Sequence, residues 1–247
     1  MFFFRRPKLV LDMFTLHQNL IQSAPIEKST KFFPEWWQKL PKNSVDMGGT
    51  FPIGTMKFCK GFLDYYRNSF TIPLWSDLAI IVNEDKQYSW QFADRVSIAS
   101  QHPERQHEGF MPHTQYAQMK LVSPWYGRMK EKINWVWTSP AWNFIKPEQL
   151  IIPPGVVDFK YQCSTNINLF FSIEKPMNLI IPFGQPMVHI TPMTEKNVEI
   201  RRHLVSKEEI DRISSIQNEV VFLNKYSTVS KNIEKFAKCP YTGGSNE

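Results

Sequence analysis

Three textures of apolar and polar positions follow one another along the chain. Over residues 1–68 the apolar residues are dense but irregular, with short stretches at helical spacing. Pro34-Glu35-Trp36-Trp37-Gln38-Lys39-Leu40 carries proline at the favoured first position and predicts a short helix. Thr55 is placed to cap a second, with Met56, Cys59, Phe62, Leu63 and Tyr66 recurring on one face. From about residue 69 the period shortens to that of strands. Leu78–Val82, a polar turn, and then Tyr88, Trp90 and Phe92 at alternating positions predict a hairpin. Further strands are expected at 118–122, 133–137, 156–161, 166–173, 179–181 and 187–191. The polar stretch 95–115 reads as a long loop, which is uncommon in a compact domain and often functional. After Ser206-Lys207-Glu208-Glu209, a capping box, Ile210, Ile213, Ile216, Val220, Leu223 and Tyr226 recur at three or four residues, and Ile233 and Phe236 extend the stripe.

These textures predict an α+β fold. Its centre is an antiparallel β-sandwich or barrel-like core over 69–205, of a β-clip or jelly-roll-like kind. An N-terminal helical and irregular segment, 1–68, packs on that core. A long C-terminal helix and a flexible tail occupy 206–247. The helix stripe must be buried on the sheet or on a second copy of the chain.

Composition narrows the function classes. With 19 Phe, 8 Trp and 8 Tyr but only 10 Gly in 247 residues, the chain is neither disordered nor built around a glycine-rich nucleotide loop. The net charge of +6 comes from scattered Lys and Arg, so nucleic acid is not indicated. Three dispersed cysteines without a Cys-x-x-Cys argue against a disulfide framework or a zinc knuckle and fit a reducing compartment. No run approaches the roughly 18 apolar residues of a membrane span. The N-terminal charges follow the apolar patch, the reverse order of a secretory signal.

Two constellations carry candidate chemistry. The first is His102-Pro103-Glu104 in the polar stretch. Without a Pro-Cys-x-x-Cys partner it does not fit a zinc deaminase. With His189 on a downstream strand it has the loose outline of a non-haem iron site, Arg201 facing a co-substrate; the alternative is a hydrogen-bonded surface loop. The second is Pro153-Pro154-Gly155-Val156-Val157-Asp158-Phe159-Lys160-Tyr161, followed by Ile181-Pro182-Phe183-Gly184-Gln185-Pro186-Met187-Val188-His189. This resembles two consecutive motifs of the deoxyuridine triphosphatase and deoxycytidine triphosphate deaminase family. The resemblance implies that Asp158 activates a water and Tyr161 backs the sugar. Lys160 stands where that family carries an acid, and its Arg-Ser-Ser and Asp-Ala-Gly-x-Asp motifs are absent. The alternative for Asp158 is a turn carboxylate bonded to nearby amides. No cofactor is firmly indicated; iron or magnesium is what these two sites would take.

A broader set of segments resembles a family of uncharacterised proteins frequent in marine contractile-tailed phages. It comprises Phe32-Phe33-Pro34-Glu35-Trp36-Trp37 with Leu40-Pro41, Ile72-Pro73-Leu74-Trp75-Ser76-Asp77, Ser123-Pro124-Trp125, Pro154–Asp158 and Ile181–Pro186. That resemblance implies a source type rather than a mechanism; the leading expectation is a non-enzymatic binding or assembly protein of phage type, located in the host cytoplasm or the virion. It would be homo-oligomeric or bound to other phage proteins through its aromatic surface and C-terminal helix. The eight tryptophans also allow a small-molecule platform, with Trp135 and Trp137 on one strand face, although aromatics are core material first.

Overall fold

A computed structural model of the chain describes residues 9–45, 52–110, 115–144 and 150–223. Strands dominate, in several small, mostly antiparallel sheets. The organising feature is a nest of antiparallel pairs. Phe70–Pro73 pairs with Pro186–Pro192, Leu78–Val82 with Met177–Ile181, Tyr116–Val122 with Ile167–Ser172, and Asn134–Thr138 with Gly155–Asp158. Residues 70–192 therefore fold back on themselves as one long bent hairpin. Adjacent arms associate into a five-stranded sheet ordered Gly155–Asp158, Asn134–Thr138, Pro186–Pro192, Phe70–Pro73 and Glu27–Lys28. No closed barrel forms among the described residues.

The side-chain periodicity explains which faces are buried. Along Tyr116–Val122 burial alternates strictly, with Ala117, Met119 and Leu121 inside. All four residues of Phe70–Pro73 are buried, because both faces of the five-stranded sheet are covered. One face carries Trp137, Ile190 and Phe70 in a row into the main core, beside Trp135 and Ile72. Trp135 and Trp137 are thus core residues, 0% and 6% exposed, and offer no ligand platform.

Part of the expected architecture is corrected. Leu9–Thr15, inside the segment expected to be helical and irregular, is a strand, almost wholly buried, and it pairs in parallel with Val198–Leu204. The β structure is therefore not purely antiparallel. The stretch expected as a long loop begins with a strand, Ile98–Gln101. A long C-terminal helix is not supported: the described helix is Lys207–Leu223, and the extension over Ile233 and Phe236 lies outside the described residues. Its capping box is formed reciprocally, the Glu209 amide donating to Ser206 Oγ at 3.4 Å and the Ser206 amide to Glu209 Oε2 at 3.3 Å. Ile210 and Ile213 turn inward onto Phe14, Cys163 and Val205, so the first part of the stripe is buried within the chain. No helix among the described residues is long and apolar enough to cross a membrane.

The first of the two expected N-terminal helices follows its signal, while the second starts later than Thr55 implies, at Lys60 behind Cys59. Pro34 precedes helix Glu35–Lys39. Thr55 accepts a hydrogen bond from the Lys57 amide and caps a short 3-10 turn, Met56–Phe58, that leads into helix Lys60–Asn68. Helix Lys60–Asn68 lies over the second face of the five-stranded sheet, where the candidate site is built, and helix Glu35–Lys39 packs against it through Trp36, Trp37 and Phe62.

Candidate functional site

Cross-strand pairing dictates what that second face displays. Thr138 pairs with His189, His189 with Thr71, and Thr71 with Glu27, so one row across four strands is polar. Opposed residues share a face, and here the face is roofed by the turn Ser29–Phe32 and the helix Lys60–Asn68. Thr71, Ser29 and Ser69 are fully buried, and their hydroxyls run in a chain at 2.8 Å each, ending on the Tyr65 carbonyl at 2.6 Å. One proton per hydroxyl satisfies the chain when each donates to the next. Tyr65 donates to the Ser139 carbonyl at 3.1 Å and shares a 3.0 Å hydrogen bond with Thr138 Oγ1 in which either hydroxyl can donate, and Tyr66 donates to Asn143 Oδ1 at 2.6 Å.

His189 is the exception in this row. It is fully buried, and neither ring nitrogen has a hydrogen-bond partner. Its ring is packed against Tyr65 and Tyr66, with centroids 4.9 and 5.1 Å away. Desolvation drives its pKa down from the ordinary 6.5 to about 3, so the imidazole is neutral at physiological pH. The same burial raises both tyrosines.

Above these tyrosines the rings continue outward. Phe33 stacks on Trp37 at 4.3 Å and on Tyr66 at 4.8 Å. Phe62 touches Trp36, Trp37, Tyr66 and Trp142. The outermost members reach solvent: Trp36 is 42% exposed and Trp142 48%. The Trp36 indole donates to the Trp142 carbonyl at 3.1 Å, which ties the surface formed by two distant stretches of chain. Lys57 lies 4.2 Å over the Trp37 ring. The molecule thus presents a continuous aromatic stack from a buried neutral histidine to an exposed pair of tryptophans.

The residues singled out by sequence do not meet in one place. His102 follows strand Ile98–Gln101 in a different sheet from His189, and its Nδ1 is hydrogen-bonded to Gln106 Oε1. The side chain of Glu104 lies outside the described set. No group of three His, Cys, Asp or Glu able to hold a metal occurs among the described residues, and the neighbours of the His189 ring are tyrosines. Among the described residues, those around His189 therefore do not supply the donor set of an iron centre. Asp158 ends the edge strand and pairs with Asn134, four residues along from the Thr138 that faces His189. At about 3.3 Å per residue this separates them by roughly 13 Å along the strands alone. Asp158 Oδ1 accepts the Lys160 amide at 3.0 Å, and the Tyr161 and Gln162 amides donate to its carbonyl. Burial pushes its pKa up, partly offset by that amide and by Lys132 and Lys160. Tyr161 borders a cavity of only about 10 Å³, too small for a nucleotide.

Two of the motif segments explain each other structurally. Gly184 is the left-handed residue, φ +78°, of the turn Pro182–Gln185, and its amide donates to the Leu74 carbonyl while Leu74 donates back to Gln185. The Phe183 amide donates to Asp77 Oδ1 at 2.6 Å. Segments 72–77 and 181–186 are thus one clasp closing the ends of the long hairpin. An aromatic surface is expected from the sequence, but not which rings form it: Trp36 and Trp142, 106 residues apart, are joined only by the fold. Comparison with known protein families and with curated proteins finds none that matches this chain. The functional reading therefore rests on the geometry.

Proposed function

We propose that this chain is a non-enzymatic binding or assembly protein, homo-oligomeric, of the contractile-tailed-phage kind that its sequence resembles. It would act in the host cytoplasm or the virion. The observation that carries the reading is the exposed aromatic surface of Trp36 and Trp142, backed by Phe62 and Tyr66. Large rings that stay solvent-exposed while rigidly braced from below are the material of interface hot spots. The nested strand pairs support the finer description of the core as jelly-roll-like, with the clasp at Gly184 joining its outermost arms. The helix stripe contributes less to association than expected, since Ile210 and Ile213 are spent on the chain's own core.

The test is the mass of the full chain in solution. Light scattering behind a sizing column is expected to give a multiple of the 29.1 kDa monomer. A monodisperse monomer up to about 10 mg/ml overturns the homo-oligomeric reading.

A further inference from the structure

On another side of the molecule, a groove of about 220 Å³ opens between helix Gln18–Ser23 and the turn that follows strand Tyr88–Phe92. Its walls come from four separate stretches of chain and are mainly apolar: Leu16, Leu20, Trp75, Ile98 and Val122 among them. Asp94 is the only charged side chain among the described residues that line it, apart from the ionisable His17. The carboxylate is held rigidly. Oδ1 accepts the Val96 and Ser97 amides at 2.8 and 2.6 Å, Oδ2 accepts the Ser97 hydroxyl at 2.6 Å, and the Ser76 side chain is a further partner of the carboxylate. Burial works to raise the Asp94 pKa, but the hydrogen bonds from Ser76, Ser97 and Val96 outweigh it and bring it to about 2.

We propose that this groove binds a small apolar amine in its ammonium form, the body against Leu20, Trp75 and Val122 and the nitrogen donating to Asp94. An anionic ligand is repelled by the fixed carboxylate. A neutral apolar ligand covers it without supplying a donor, which leaves a desolvated charge. The volume lies below the roughly 300–1,000 Å³ of drug-sized sites, so the ligand is about one ring in size. The inference is independent of the assembly reading, because the groove and the tryptophan surface share no residue.

The experiment is a ligand-observed NMR titration of the full chain with benzylamine, benzyl alcohol and benzoate at pH 7. Benzylamine is expected to saturate in the millimolar range, benzyl alcohol to bind about tenfold more weakly and benzoate not at all, a charge-assisted hydrogen bond being worth about 1.5 kcal/mol or more. Asp94→Asn is expected to bring benzylamine and benzyl alcohol within about twofold. Val96→Lys is the second variant: Val96 is an exposed rim residue whose side chain makes no core contact. It places a cation beside the carboxylate and is expected to weaken benzylamine about fivefold or more without moving the thermal midpoint. The proposal is overturned if benzylamine fails to saturate, if the alcohol or benzoate binds as well, or if Val96→Lys leaves benzylamine binding unchanged.

Discussion

The imidazole of His189 lies 5.1 Å from the ring of Tyr66, edge to face, and has no hydrogen-bonding partner for either nitrogen. A neutral histidine tolerates this; an imidazolium does not. In the folded chain its pKa is about 3 against 6.5 when exposed. Between those values the unfolded state binds a proton that the folded state refuses. His189 therefore adds no pH dependence above about 6.5, and stability falls as pH drops from there toward 3, at up to about 1.4 kcal/mol per unit. Urea unfolding at pH 7 and pH 5 is expected to show a loss of about 2 kcal/mol that His189→Leu largely removes. Equal losses in both proteins would contradict the assignment.

Ser29 sits in the middle of the buried hydroxyl chain, 2.8 Å from both Ser69 and Thr71. Removing its oxygen strands a neighbouring donor where water does not reach. Ser29→Ala is expected to destabilise by about 1–3 kcal/mol in denaturant unfolding, more than an exposed serine change. A loss below about 0.5 kcal/mol would show that the chain contributes little.

These two residues also show what was legible in the sequence. Local signals carried through: the Ser206–Glu209 box, the Pro34 helix and the hairpin at 78–92 all depend on neighbours within about fifteen residues. Leu9–Thr15 was passed over because a strand buried on nearly every side loses its alternation, the property that identified Tyr116–Val122. The site was less legible still. His189 reads in sequence as a metal ligand because histidine usually seeks a partner. Only the pairing of Pro186–Pro192 with its neighbours shows that it faces Tyr65 and Tyr66 across the sheet.

Gly127 is required by close packing rather than by its backbone conformation. A Cβ there would stand 2.5 Å from the Phe159 ring and 3.2 Å from Met13 Sδ. Phe159 is buried against Trp135, with only a cavity of about 10 Å³ beside it. Gly127→Ala is expected to cost about 1–3 kcal/mol, lowering the thermal midpoint by several degrees. An unchanged midpoint would mean that Phe159 has more freedom than its burial indicates.

The N-terminus of helix Lys207–Leu223 offers a milder test. Ser206→Ala removes the acceptor for the Glu209 amide and is expected to cost about 1 kcal/mol. Because Ile210 and Ile213 anchor the first turns on Phe14, hydrogen exchange should quicken in the first turn before the strand Leu9–Thr15 is affected. Simultaneous loss of protection in both would show that the cap is coupled to the whole sheet.

The tryptophan surface bears the weight of the functional reading, and sedimentation velocity of the chain with Trp36→Ser and Trp142→Ser together tests it most directly. The account predicts an oligomer for the natural sequence across a tenfold concentration range and a folded monomer, with unchanged far-ultraviolet circular dichroism, for the double variant. Identical sedimentation of the two proteins, whether as oligomers or as monomers, would contradict it.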